Sequence, residues 1–173
     1  RLCWLNAESV PVCGLALLGT ATSVPWRTAR MLFERQRDFM YLDEGTLREL
    51  AKVSADVVGV GPMDYRAVIV DGAEHASPLA LEQLKPLVEA GRVAAYGEPI
   101  AGIAKTLTTP DELIGWVDHW IPTDLQIQPA AMGLRFHHVA QGNEHFYLLV
   151  NEGPETIEGT LTLSVQGKTA WWD

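Results

Sequence analysis

Leu134-Arg-Phe-His-His-Val-Ala140, a polar break at Gln141-Gly-Asn-Glu144, and His145-Phe-Tyr-Leu-Leu-Val-Asn151 form the stretch that decides the fold of this chain. Phe146, Leu148 and Val150 alternate with Tyr147 and Leu149, the period of a β-strand, and Gly142-Asn143 has the composition of a two-residue hairpin loop. After Glu152-Gly-Pro-Glu155 a third run follows, in which Leu161, Leu163 and Val165 alternate with Thr160, Thr162 and Ser164. Three consecutive antiparallel strands are expected, making a partial β-sandwich over residues 131–173.

Upstream the regime is different. Val12-Cys-Gly-Leu-Ala-Leu-Leu18 is a continuous apolar run, as in a strand buried on both faces. Pro25 stands at the expected start of a helix reaching about Arg37, with Trp26, Ala29, Leu32 and Phe33 inward. Phe39 to Leu42 reads as a strand, and Thr46 to Lys52 as a short helix carrying Leu47 and Leu50. Val57 to Val60 and Ala67 to Val70 are further strands. Ser77-Pro78 caps a helix carrying Leu81, Leu84, Leu87 and Val88, which Gly91 ends. Val93 to Tyr96 is a strand, and Thr109-Pro-Asp-Glu112 is a capping box opening a helix to about Trp120. Alternating strands and helices predict a three-layer α/β domain with a mostly parallel sheet over residues 1–121. Pro122 to Pro129 shows neither period and is expected to be a linker, spanning 122–130.

With 13 Lys and Arg against 22 Asp and Glu, the formal charge is −9. That balance argues against a nucleic-acid partner, whose phosphates need cationic side chains. No apolar run reaches the ~20 residues of a membrane span. Cys3 and Cys13 imply no disulfide framework or zinc site, and Cys13 reads as a small core residue within the first strand. The chain begins at Arg1 and closes on Trp171-Trp172-Asp173, which is read as an internal piece of a longer polypeptide.

Neither G-x-G-x-x-G nor G-x-x-x-x-G-K-[ST] occurs, so no nucleotide cofactor is implied. The hydroxyl-rich loop Gly19-Thr-Ala-Thr-Ser23 stands where a flavodoxin-type phosphate loop would, but reads as an ordinary strand-to-helix connection. A G-x-S-x-G elbow is missing, Cys13 is poorly placed as a nucleophile, and the turn after Tyr96 is Gly97-Glu-Pro99, without Cys or Ser. His75, in the loop after the Val68 to Val70 strand, is read as an exposed loop residue. His137, His138 and His145 flank the hairpin. With Gly142-Asn143 as its loop, His138 and His145 share one face diagonally, roughly 7–8 Å apart at Cα. A zinc ion there would need a third ligand, and Glu144 points to the other face. Asp71, Glu74 and Glu98 announce no catalytic pair. Trp116 and Trp120 read as interface fillers, and one of Trp171 and Trp172 as a core residue.

Phe39-Met-Tyr-Leu-Asp-Glu-Gly-Thr-Leu47, Tyr65-Arg-Ala-Val-Ile-Val70 and Leu84 to Gly97 together resemble the glutamine-amidotransferase-like, flavodoxin-like accessory domain of large glycoside hydrolases. The tail, with His145 to Asn151, Glu158 to Val165 and Trp172-Asp173, is similar to the β-sandwich that follows it in bacterial α-L-rhamnosidase-like enzymes. The resemblance implies a non-catalytic accessory segment of a glycoside hydrolase. It places the reacting carboxylates in a separate (β/α)8-type barrel ahead of Arg1, the partner within the parent polypeptide, with carbohydrate as a further partner. It implies no catalytic residue, metal or cofactor in this chain. The family's hairpin has His-Arg before the turn where this chain has His137-His138; the substrate contacts expected here are His137 and Asn151. Two alternatives are an oligomerisation domain of the kind found in trimeric β-galactosidases, forming a homo-oligomer, and a flavodoxin-like nucleotide or flavin binder.

Overall fold

The structure is a computed structural model, and it describes residues 8–20 and 22–171. Five parallel strands form the central sheet: β2 (Leu15–Gly19), β3 (Met40–Asp43), β7 (Ala67–Asp71), β8 (Val93–Tyr96) and β9 (Lys105–Leu107). They lie in the order β3-β2-β7-β8-β9. Numbered along the chain this is 2-1-3-4-5, so the order reverses between β2 and β7. β9 carries one fully buried apolar residue, Leu107, and had no expectation attached to it.

β2 explains the layering. Leu15 and Leu17 face one side and Ala16 and Leu18 the other, and all four are fully buried. On the first side they meet Ala29 and Leu32 of α1 (Trp26–Glu34) and Leu113, Trp116 and Val117 of α4 (Pro110–Trp120). On the second side they meet Leu47 of α2 (Glu44–Leu50) and Ala80, Leu84 and Leu87 of α3 (Pro78–Glu89). Burial of an aliphatic side chain of this size contributes about 1.5–3 kcal/mol. The capping box at α4 is present: Thr109 Oγ1 accepts from the Glu112 amide while the Glu112 carboxylate accepts from Thr109 N.

Several expectations need correction. Trp26 is 61% exposed rather than inward, and Pro25 sits in the cap position of α1, ahead of its first helical residue. Leu50 is exposed. Cys13 precedes β2 instead of lying in it, and is half-buried. Val57 to Val60 does not enter the parallel sheet. Val58–Val60 (β5) is the middle of a small antiparallel sheet with Lys52–Val53 (β4) and Met63–Tyr65 (β6). Trp172 and Asp173 lie outside the described residues, as do Cys3 and Ala21; Trp171 is exposed.

The hairpin is formed as expected. β11 (Leu134–Gln141) pairs with β12 (Glu144–Asn151), Gln141 opposite Glu144, leaving Gly142 and Asn143 as the loop. Gly142 has φ 59° and Asn143 has no positive φ, the pattern of a type II′ turn. β1 (Val10–Pro11) adds to the free edge of β11. The third run is placed differently from the meander. Thr160–Leu163 (β13) pairs with Leu125–Gln128 (β10), inside the stretch expected as linker. The two small sheets pack face to face, Leu134, Phe136, Tyr147 and Leu149 meeting Leu125, Ile127, Leu161 and Leu163.

The other face of the hairpin packs on the α/β unit. α1 contacts β11, and the Arg135 guanidinium lies 5.8 Å from the Phe33 ring centroid. Gln36, held at φ 50° and buried, donates from Nε2 to the carbonyls of Ala131 at 2.9 Å and Leu134 at 3.1 Å. One side chain therefore satisfies two backbone acceptors across this junction. Gln36→Ala removes both of these hydrogen bonds, leaving the Ala131 carbonyl with the Leu134 amide and the Leu134 carbonyl with the Arg135 guanidinium. We expect it to lower unfolding stability by about 1–3 kcal/mol, seen as a lower urea midpoint with an unchanged m-value.

Candidate functional site

Two polar clusters stand out, at opposite ends of the parallel strands. The first lies beyond their carboxyl ends. The loop after β2 turns tightly: Thr20 N donates to the Ser23 carbonyl at 2.9 Å, and Ser23 N donates to Thr20 Oγ1 at 3.1 Å. Gly19 allows this return, since a Cβ there would stand 3.1 Å from the Ser23 carbonyl oxygen. The loop after β7 passes through Gly72, at φ 85°, into a short 3-10 turn at Ala73–His75. His75 was expected to be exposed; it is 5% exposed, with Nδ1 on the Asp71 carbonyl and Nε2 2.9 Å from Ser23 Oγ. The Asp71 carboxylate accepts from Thr28 Oγ1 of α1 at 2.8 Å, which ties the end of β7 to that helix.

The second cluster runs through the hairpin. His138, fully buried, is bonded through Nδ1 to Asp124 Oδ2 at 2.7 Å and through Nε2 to His145 Nδ1 at 2.8 Å. The diagonal placement of the two histidines is as the two-residue turn predicted. Tyr147 stacks on the His138 ring at 4.0 Å and donates to Asp124 Oδ1 at 2.8 Å, and Ser164 donates to the same oxygen. Asp124 lies in the segment expected as linker, so nothing had placed it here. A carboxylate only accepts, so His138 carries a hydrogen on Nδ1, and its Nε2 shares one hydrogen with His145 Nδ1. Among the described residues no group of three His, Cys, Asp or Glu side chains is arranged to hold a metal ion.

Charge follows from these contacts. Burial opposes ionisation of Asp124, but the hydrogen bonds from His138, Ser164 and Tyr147 outweigh it and hold the carboxyl below the usual range. Burial, with the neighbouring Asp124 carboxylate, pushes the Tyr147 phenol up to about 12. Burial also pushes the Cys13 thiol up to about 12, helped by Asp38, so that thiol is a poor nucleophile near neutrality.

His137 and Asn151 are not brought together. Register places Asn151 opposite Leu134, on the face packed against the second sheet, and His137 opposite Leu148, on the face toward the α/β unit. His137 Nδ1 meets Asp38 Oδ2 at 3.0 Å; that hydrogen bond raises the imidazole pKa. Asn151 holds the following turn, donating to the Glu155 carbonyl and accepting from Gly153 N. It also lines an open apolar cleft with Ile127, Leu134, Leu149, Leu161 and Trp171.

No family model matches the chain, and no curated protein matches it. Among solved structures, a rhamnosidase from Novosphingobium sp. PP1Y is similar, with a TM-score of 0.51 and 17% identity. The alignment covers 83% of this chain and 17% of that one, so this chain spans about a sixth of that protein's length. The likeness is one of fold.

The two carboxylate–imidazole pairs have opposite pH signatures. The His137 pKa is raised, so its contribution to stability is full below the ordinary value of 6.5 and fades as pH rises through the folded value. The Asp124 pKa is lowered, so its contribution is full above 3.8 and is lost as pH falls through the folded value. In pH-dependent urea unfolding, the gap between wild type and His137→Gln should narrow on going alkaline. The gap to Asp124→Asn should narrow only in acid.

Proposed function

We propose that this chain is an accessory segment of a carbohydrate-active glycoside hydrolase of the α-L-rhamnosidase-like kind. In this reading it takes no direct part in glycosidic chemistry. Residues 1–121 are a flavodoxin-like, glutamine-amidotransferase-like domain, and 131–173 belong to a β-sandwich. The glycosidic carboxylates lie outside the segment, on a catalytic barrel of the parent polypeptide. The observation that carries this reading is the fold likeness to a rhamnosidase extending over 83% of the chain, a share too large for the α/β unit alone. The 2-1-3-4-5 strand order supports the flavodoxin-like assignment.

The geometry suits a rigid spacer. Gln36, Phe33 and Asp38 join the α/β unit to the hairpin by hydrogen bonds, ring contact and an ion pair. Such a junction holds two units at one angle, which is what a part that positions a neighbouring catalytic domain requires. The chain should therefore release no nitrophenol from p-nitrophenyl α-L-rhamnoside or from other aryl glycosides above the buffer rate. Turnover that copurifies with the folded chain would overturn the proposal.

A further inference from the structure

Open α/β sheets take ligands beyond the carboxyl ends of their strands, where the strand order reverses. Here the reversal lies between β2 and β7, and the loops leaving those two strands carry Ser23 and His75. The pair is 52 residues apart in sequence and 2.9 Å apart in space. We propose that Ser23 and His75 form a nucleophile–base pair that accepts a short acyl group from a neutral carboxylic ester.

The tautomer is the one this chemistry needs. A backbone carbonyl only accepts, so the contact with Asp71 puts the hydrogen of His75 on Nδ1. In the neutral ring Nε2 then holds a lone pair directed at the Ser23 hydroxyl. The ring is oriented by a main-chain oxygen, the position that a carboxylate fills in the serine–histidine–aspartate arrangement. The base is buried while Ser23 is exposed, so the nucleophile is open to solvent and its partner is fixed. The reciprocal bonds between Thr20 and Ser23 set the nucleophile's backbone in advance. α1 begins three residues later without a side-chain cap, and the positive end of a helix favours negative charge developing close by.

The surroundings select the substrate class. Glu74 stands 3.8 Å from the His75 ring and Asp71 is adjacent, so an anionic ester is disfavoured. Val24 and Trp26, 47% and 61% exposed, flank the serine with apolar surface. In the first step a bond forms from Ser23 Oγ to the ester carbonyl carbon, and His75 Nε2 takes the hydroxyl proton. The bond to the alcohol oxygen breaks and His75 returns that proton to the leaving alcohol. Water then adds to the acyl-serine with His75 again as base, releasing the carboxylic acid and restoring the hydroxyl.

The test uses the folded chain with a fluorophosphonate probe and with p-nitrophenyl acetate. One label per chain is expected, on the peptide containing Ser23, together with acetate-ester hydrolysis. Ser23→Ala should abolish both, and His75→Gln should slow both by about 100-fold or more. Ser23→Cys guards against a His75 variant that fails to fold. Its new thiol, beside the imidazole, should react with iodoacetamide at neutral pH at least about tenfold faster than Cys13 in the same molecule. The proposal is overturned by an unlabelled Ser23 in the folded chain, by labelling that His75→Gln leaves unchanged, or by a new thiol no faster than Cys13. These readouts are independent of glycoside turnover, so each reading can fail alone.

Discussion

The register of the β11–β12 hairpin is the constraint on which the rest of the molecule hangs. Both faces of β11 are committed. Leu134, Phe136, Tyr147 and Leu149 form half of the core between the two small sheets, while Arg135 and His137 meet Phe33 and Asp38 of the α/β unit. A slip of one residue would exchange the two sets. The type II′ turn at Gly142-Asn143 sets the pairing from one end, and Asp124 reinforces it from the side. That carboxylate accepts hydrogen bonds from β11 through His138 and from β12 through Tyr147, which only the native register presents together. Polar groups buried in a core stabilise little on balance, but they discriminate strongly against pairings that leave them unsatisfied.

The same hairpin explains why the α/β unit and the β-layer form a joined pair. Docking uses the ends of the parallel strands where they begin. Cys13 and Val12 precede β2, with Val12 N donating to the His138 carbonyl, and Asp38 precedes β3. Gln36 follows α1 on its return to that same end and takes the left-handed conformation that lets its amide reach two carbonyls of the next unit.

Much of this was legible from local signals whose cause is local. The both-faced burial of β2 was visible in an unbroken apolar run, the start of α4 in its capping box, and the hairpin loop in Gly142-Asn143. What escaped depends on distant partners. Leu125-Gln-Ile-Gln128 does alternate with a period of two, but Pro122 and Pro129 on either side made it read as a linker. Its partner is β13, more than thirty residues on, because the hairpin between them is already filled on that face. Trp26 has the spacing of an inward residue, yet α1 turns Thr28, Ala29 and Leu32 to the sheet, and the small hydroxyl of Thr28 finds Asp71 there. The Ser23–His75 contact escaped most completely. Ser23 and His75 carry no shared motif, and their meeting follows from β2 and β7 being neighbours, a fact of topology that no window of sequence contains.

That topology also separates the two roles proposed above. A parallel sheet has unlike ends: all its strands start at one edge and finish at the other, so loops of one kind gather on each side. The β-layer occupies the edge where strands start, with Asp38 and Gln36 turned toward it. Ser23 and His75 sit where β2 and β7 finish, a strand length of roughly 16 Å away. A small ligand in the switch-point crevice therefore does not meet the junction with the β-layer. The spacer role and the open site proposed above thus fall at opposite edges, because the five strands all run in one direction.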